Sequence, residues 1–373
     1  MAAVALRAVT LLTVLAACAT TAPHDPASDP TPKSPSTAAT GLAYAIGADL
    51  SFLAQAEASG TRFKDGGVEK PGLQLFRDHG YNWIRLRLFH TVANSPWPLP
   101  NDLPYTLALA KQAKTMGYKF LLDLHYSDTW ADPQKQTMPK AWEGKSAAEL
   151  VDAVQEYTQL TIAALRDGGA MPDMVQIGNE ITPGMLWPVG HLPEHWDTFA
   201  DLVKAGLRGV DAGRGSAARP LIMIHIDKGG DKATTKWFFD NLLQHGVQFD
   251  VIGQSYYPWW HGTLLDLREN LAFMAETYHK DIVLVEVAYN WRPSEYIGKL
   301  APYAETPDGQ REFLEAVNDA VLATPYGLGK GVMWWEPAVG PSSLRSRGMF
   351  DDAGNALPVI NVFDKYTRGR TGR

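Results

Sequence analysis

Trp83-Ile84-Arg85-Leu86-Arg87-Leu88-Phe89, then a helical-period segment Tyr105–Met116 set between Pro104 and Gly117, then Phe120-Leu121-Leu122-Asp123-Leu124: these residues carry one unit of a repeating pattern. A short apolar run leads to a segment of helical period, and a second short run follows. Proline just before the periodic residues and glycine just after them are good helix limits. The alternation continues in both directions. Further short runs lie at Ala43–Ala48, Met174–Ile177, Leu221–Ile226, Phe249–Gly253, Ile282–Val287 and Val332–Trp335, giving eight. Helices are predicted between them at Ala147–Leu165, Phe199–Val210, Thr234–Gln244, Leu264–Tyr278 and Gly309–Leu322. Strand and helix alternating eight times predict an α/β chain folded as a single (β/α)8 TIM barrel over residues 41–365. An open doubly wound sheet would usually carry a glycine-rich phosphate turn after its first strand, and Gly47-Ala48-Asp49-Leu50-Ser51 is not one. The span exceeds the ~250 residues typical of a barrel, which leaves room for long βα loops. Neither a second domain nor an internal repeat is visible.

The chain has 373 residues, 45% hydrophobic and 20% charged, an ordinary globular composition. A formal net charge of −7 argues against non-specific nucleic-acid binding, which needs a basic face. Twelve Trp and 14 Tyr suit either a large aromatic core or sugar-stacking surfaces. The one cysteine, Cys18, excludes an internal disulfide and a cysteine metal site. Residues 1–17 carry Arg7 and an apolar stretch from Ala8 to Ala17, too short to span a membrane, and read as a signal peptide. That stretch ends Leu15-Ala16-Ala17-Cys18, which resembles the bacterial lipobox, where the cysteine thiol receives a diacylglycerol. The alternative is an ordinary signal peptide cut at a nearby small residue. Residues 18–40, rich in Ala, Thr, Pro, Ser and Asp, read as a flexible tether from lipidated Cys18, and residues 366–373 as a disordered tail. The expectation is an exported monomer held by its lipid and facing the periplasm or cell surface, or otherwise secreted.

Barrel chemistry sits at the C-terminal strand ends, and here each end is polar. In order they are Asp49; Arg85 and Arg87; Asp123-Leu124-His125; Gly178-Asn179-Glu180; His225-Ile226-Asp227; Ser255-Tyr256-Tyr257; Glu286; and Trp335-Glu336. Buried carboxylates and arginines are costly unless paired, so eight converging polar ends point to a site. Glu180 and Glu286 form the sharpest pair. Two carboxylates facing across a sugar perform glycoside hydrolysis, one protonating the leaving oxygen and the other attacking the anomeric carbon. Asn179 is placed to bond a sugar 2-hydroxyl; alternatively, Asn179-Glu180 caps a following helix. His125, Asp128 and Asp132 give only a weak metal spacing, and no metal or cofactor is expected. Serine-hydrolase elbows and P-loop motifs do not occur.

Several of these segments resemble glycoside hydrolase family 53, the endo-β-1,4-galactanases. They are Gly47–Ser51, Trp83–Arg87, Leu122–Pro133 with its His-Tyr-Ser-Asp-Thr-Trp-Ala-Asp-Pro run, Val175–Ile181, Ser255–Pro258 and Trp335-Glu336-Pro337. The resemblance covers about residues 43–363. It implies retaining, internal cleavage of β-1,4-galactan, with Glu180 as acid/base and Glu286 as nucleophile. It implies that Arg85 steadies Glu286, that Tyr256 or Tyr257 lies near it, that Trp335 lies under the sugar and Trp130 in the cleft, and that Asp49 and His125 contact the sugar or support those that do. Two positions depart from the family pattern, Val287 and Asn290, which puts subsite details in question. The short segment Arg292–Gln310 makes the structural calcium of some bacterial members unexpected. The rival readings are a related barrel glycosidase acting on another β-linked glycan such as mannan, and a lipoprotein that captures glycans without cutting them.

Overall fold

The structure, a computed structural model, describes residues 41–293 and 298–367. Cys18, the leader and the tether lie outside the described residues.

Eight parallel strands close into a barrel: β1 Ala45–Asp49, β2 Trp83–Leu88, β3 Lys119–Leu124, β4 Met174–Ile177, β5 Leu221–Ile226, β6 Val251–Tyr256, β7 Asp281–Val287 and β8 Gly329–Trp334. Neighbours around the ring follow chain order, and β1 closes on β8 with Ala45 opposite Gly331. The helices that return the chain are α1 Leu53–Ala58, α2 Gly72–Asp78, α3 Leu103–Thr115, α4 Ala147–Asp167, α5 Trp196–Gly213, α6 Lys232–Gln244, α7 Leu264–Tyr278 and α8 Pro307–Leu322. A short α9, Asp364–Thr367, ends the described chain and includes the first two residues of the predicted tail.

Local chemistry accounts for the helix starts. Ser146 and Glu149 form a reciprocal capping box on α4, as Thr263 and Asp266 do on α7. Helix α3 begins earlier than expected, because Asp102 caps it by accepting from Tyr105 N, and Pro104 sits inside its first turn, where no amide donor is needed. Strand β6 corrects the predicted Phe249–Gly253, starting two residues later and running on through Gln254, Ser255 and Tyr256.

Period-two alternation divides every strand between two environments. In β2, Ile84, Leu86 and Leu88 join the apolar shell under the helices, while Trp83 joins the small cluster inside the barrel. That inner cluster, with Leu121, Met174, Met223, Val251, Val283 and Met333, seals the base of the barrel. It is tight. A Cβ on Gly47 would stand 2.4 Å from Met333 Cγ, and one on Gly253 would stand 2.7 Å from Met223 Sδ. Above it the inward positions become Asp49, Arg85, Asp123, Gln176 and His225, and above those Arg87, all essentially buried. Apolar packing at the base thus supports a polar layer that opens at the C-terminal mouth.

Candidate active site

Arg85 organises the polar layer, and its guanidinium is ringed by five oxygen atoms. Nη1 meets Asp49 Oδ2 at 2.8 Å and Glu286 Oε1 at 2.7 Å. Nη2 donates to Asp123 Oδ2 at 2.9 Å and Asn179 Oδ1 at 2.8 Å, and Nε donates to Gln176 Oε1 at 3.2 Å. Arg87, one inward position higher, pairs through Nη2 with Asp49 Oδ1 at 3.1 Å and with Glu336. Its guanidinium carbon lies 4.5 Å from the Trp130 ring centre and 5.9 Å from that of Trp335, a cation–π floor under two cleft rings. Burial pushes Asp49 up, but the two arginines and Ser51 outweigh it, and its carboxyl stays below the usual range.

The two glutamates share a cleft of about 650 Å³ lined also by Arg87, His125, Trp130, Asn179, Tyr257 and Trp335. Their surroundings differ. Glu286 sits at a bulge where the β6–β7 register skips a residue, so that Gln254 pairs with Leu284 and Ser255 with Glu286. Its Oε1 meets Arg85, and its Oε2 accepts from Tyr257 Oη at 2.8 Å. Its pKa stays above the ordinary carboxylate value, raised by burial and offset only in part by Arg85 and the tyrosine hydroxyl. Among the described residues no cation pairs with Glu180. Its Oε1 accepts from Ser255 Oγ at 2.7 Å, and behind Ser255 stands His225, with Nε2 2.8 Å from Oγ. Burial pushes Glu180 well above the carboxylate range, and the charges of Glu286 and Asp227 push it further. His225 is held well below its usual value by burial and by Arg85, so it is neutral. With the serine proton given to Glu180, Oγ accepts from His225 Nε2–H.

Glu180 has φ +47° and follows Gly178 at φ +79°. A left-handed non-glycine residue costs roughly 1–3 kcal/mol and is common at functional sites. Helix capping does not explain Asn179-Glu180, because a two-stranded hairpin follows and the next helix starts only at Trp196. Instead Asn179 Oδ1 accepts from Arg85, and Nδ2 donates to Ala131 O at 2.9 Å, leaving one amide hydrogen for the cleft.

His125 Nδ1 accepts from Ala131 N at 3.1 Å, and its Nε2 stands 3.0 Å from Asp123 Oδ2, so both nitrogens are engaged with the protein. Asp49, 0% exposed beneath Arg87, reaches the cleft only through the arginines. Tyr256 is a correction. Strand alternation turns it outward, where its ring stacks on Phe313 and its hydroxyl donates to Gly262 O, so it is not a substrate residue. Tyr257, just past the strand end, is the inward tyrosine. Val287 and Asn290 do not line the cleft: Val287 packs in the outer shell, and Asn290 Nδ2 donates to Glu305 Oε1 at 2.9 Å. Asp128 Oδ2 accepts from Asn94 Nδ2 and Lys140 N, away from His125. Among the described residues no three His, Cys, Asp or Glu side chains gather as a metal site. Sequence reasoning noted Ser255 and His225 at strand ends but gave them no role, and it missed His261, Trp260 and Arg347, which also line the cleft.

Comparison with known proteins agrees with this geometry. The model of glycosyl hydrolase family 53 matches residues 45–363. An uncharacterized protein of Niallia circulans is 43% identical over 80% of this chain and 85% of its own length. An arabinogalactan endo-β-1,4-galactanase of Cellvibrio japonicus is 34% identical over 86% of this chain and 90% of its own. The solved family 53 catalytic domain of Ignisphaera aggregans superposes with a TM-score of 0.80 at 34% identity, covering 87% of this chain and 97% of that one. An eight-stranded barrel with two glutamates lining one cleft at its mouth, matched by the family over nearly all its length, places this chain in glycosyl hydrolase family 53.

Proposed function

We propose that this protein is a retaining endo-β-1,4-galactanase that cuts the (arabino)galactan side chains of pectin, with Glu180 as acid/base and Glu286 as nucleophile. The observation that carries the roles is the unequal treatment of the two carboxyls. Glu286 is held by a cation and a tyrosine hydroxyl, which favour the ionised form that attacks. Glu180 is buried and feels that charge, which favours the protonated form that donates, and the hydrogen bond from Ser255 offsets this only in part. In the first step a Glu286 oxygen bonds to the anomeric carbon as the glycosidic C–O bond breaks, and Glu180 gives its proton to the leaving oxygen. The charge on Glu286 is then consumed in the ester, the acidity of Glu180 rises, and Glu180 takes a proton from the water that releases the sugar. The galactanase name borne by the Cellvibrio japonicus relative supports the substrate.

Viscosity of a β-1,4-galactan solution is expected to fall faster than reducing ends appear. Release of galactose alone overturns the endo mode, activity on mannan but not galactan moves the substrate, and no hydrolysis leaves a capture protein. Glu286→Gly with azide is expected to yield a galactosyl azide of inverted configuration. Glu180→Ala should lose roughly 10²–10⁴ on poor leaving groups and give a retained azide from an activated aryl galactoside. Reversed stereochemistry between the two variants reverses the roles. The leader supports export as a lipoprotein anchored through Cys18. Cys18→Ser is then expected to move the protein from membranes to the soluble fraction, and a wild type already soluble with an N-terminus near residue 20 refutes the anchor.

A further inference from the structure

His261 lies four residues beyond Tyr257 on the loop after β6, and it grips that residue twice. Its backbone N–H donates to Tyr257 O at 2.9 Å. Its ring Nδ1 accepts from Tyr257 N–H at 3.0 Å. A backbone amide has only a donor to offer, so Nδ1 must present its lone pair, and the ring proton must sit on Nε2. The other side of the loop is equally fixed, because a Cβ on Gly230 would lie 2.0 Å from the His261 carbonyl oxygen. The ring is half-buried and lines the cleft beside Trp260 and Tyr257. Nε2 is not among the solvent-inaccessible unpaired atoms of the described residues. The result is a rigid N–H donor opening onto the same cavity as Glu180 and Glu286.

We propose that His261 binds substrate, its Nε2–H donating to one hydroxyl of the glycan chain held in the cleft. This rests on the glycan-cleaving reading above. A donor of fixed tautomer suits a neutral sugar. Burial, then the Lys228 ammonium at the end of β5, outweigh a hydrogen bond at the Ser255 backbone and hold the ring's pKa down to about 3, so it gains no second donor and no charge across the working range. Lys228 itself is paired with Asp227 at 2.8 Å. The role differs from that of His125, whose two nitrogens are both engaged with the protein.

Two substitutions separate the cleft donor from the loop anchor. Asn places an acceptor where Nδ1 stands but reaches no further, so His261→Asn keeps the grip on Tyr257 and removes the donor. His261→Gln places its amide nitrogen near Nε2 and removes the anchor. Wild type and both variants are assayed on galactan and on a set of galacto-oligosaccharides, each lacking one hydroxyl, with thermal melts recorded alongside. For wild type, one deoxy substrate is expected to lose about tenfold in kcat/KM, the scale of one hydrogen bond left unmade. His261→Asn should lose about tenfold on the complete sugar and no longer discriminate against that deoxy substrate, at an unchanged melting temperature. His261→Gln should keep part of the discrimination. An active wild type whose discrimination pattern survives unaltered in His261→Asn overturns the inference alone. If His261→Asn melts early, discrimination abolished in a stable His261→Gln likewise assigns the histidine to the loop and overturns it. A wild type inactive on every galactan substrate refutes the proposed function, and this role with it.

Discussion

One guanidinium ringed by five oxygen atoms fixes how the cleft responds to mutation. Arg85 binds three carboxylates and two amides from separate strand ends, so its planar fork, not its charge alone, sets where Glu286 points. Arg85→Lys keeps the charge and loses the fork; kcat is expected to fall by about 10² or more, with KM changing much less, as steady-state kinetics would show. Ser255 makes a finer case. Its hydrogen bond favours ionised Glu180, against Glu286 on β7, Asp227 past β5 and Asp132 on the β3–α4 loop, which all favour the protonated form. Ser255→Ala should therefore raise the Glu180 pKa and move the alkaline limb of the kcat/KM profile to higher pH, while an unmoved limb separates Ser255 from the acid/base. Glu180, Glu286 and Arg85 were legible because an ionisable group at a barrel strand end has little reason to be there except chemistry. Ser255 and His225 were not, because a serine and a histidine acquire meaning only from the carboxylate on a different strand that they face.

Strands here are read by alternation, and the sequence patterns that looked simply apolar were in fact two-sided. Trp83, Arg85 and Arg87 share one face of β2, while Ile84, Leu86 and Leu88 share the other. The same rule separates Ser255 from Tyr256, and β6 was placed too early because its second half carries Gln254 on the outer face and Ser255 on the inner one, so hydrophobicity fades before the strand ends. Helices α1 and α2 were absent from the expected set because six and seven residues hold too little periodicity to register. The inner face of β1 can be tested. Gly47→Ala drives a methyl into Met333 and is expected to destabilise by about 1–3 kcal/mol in denaturant titration. Combining it with Met333→Ala should recover part of that loss, and strictly additive losses would mean that the clash is relieved elsewhere.

For the whole molecule, fold and site draw on the same buried charges, so stability carries the signature of the cleft. Glu336 is fully buried, and burial lifts its pKa from 4.5 to about 8 despite Arg87. The folded state then holds its proton more tightly than the unfolded chain. This contribution to stability is fully present below about pH 4.5 and is lost as pH rises through about 8. Asp49, whose pKa is depressed, acts oppositely: its contribution is present above its ordinary 3.8 and lost as the solution is acidified below that. Denaturant midpoints from pH 5 to 9 should decline for wild type and decline less for Glu336→Gln; equal slopes would show that Glu336 is already ionised in the fold. The charge inventory has one more consequence. Arg85 and Arg87 are outnumbered by Asp49, Asp123 and Glu286, so the cleft floor stays electron-rich beneath a position where a sugar ring turns cationic. A flat, protonated imino-sugar should therefore lodge there far more tightly than galactose of the same size. Its inhibition constant should worsen on acidification as Glu286 takes up a proton, which makes the titration of such an inhibitor a direct gauge of the nucleophile's charge.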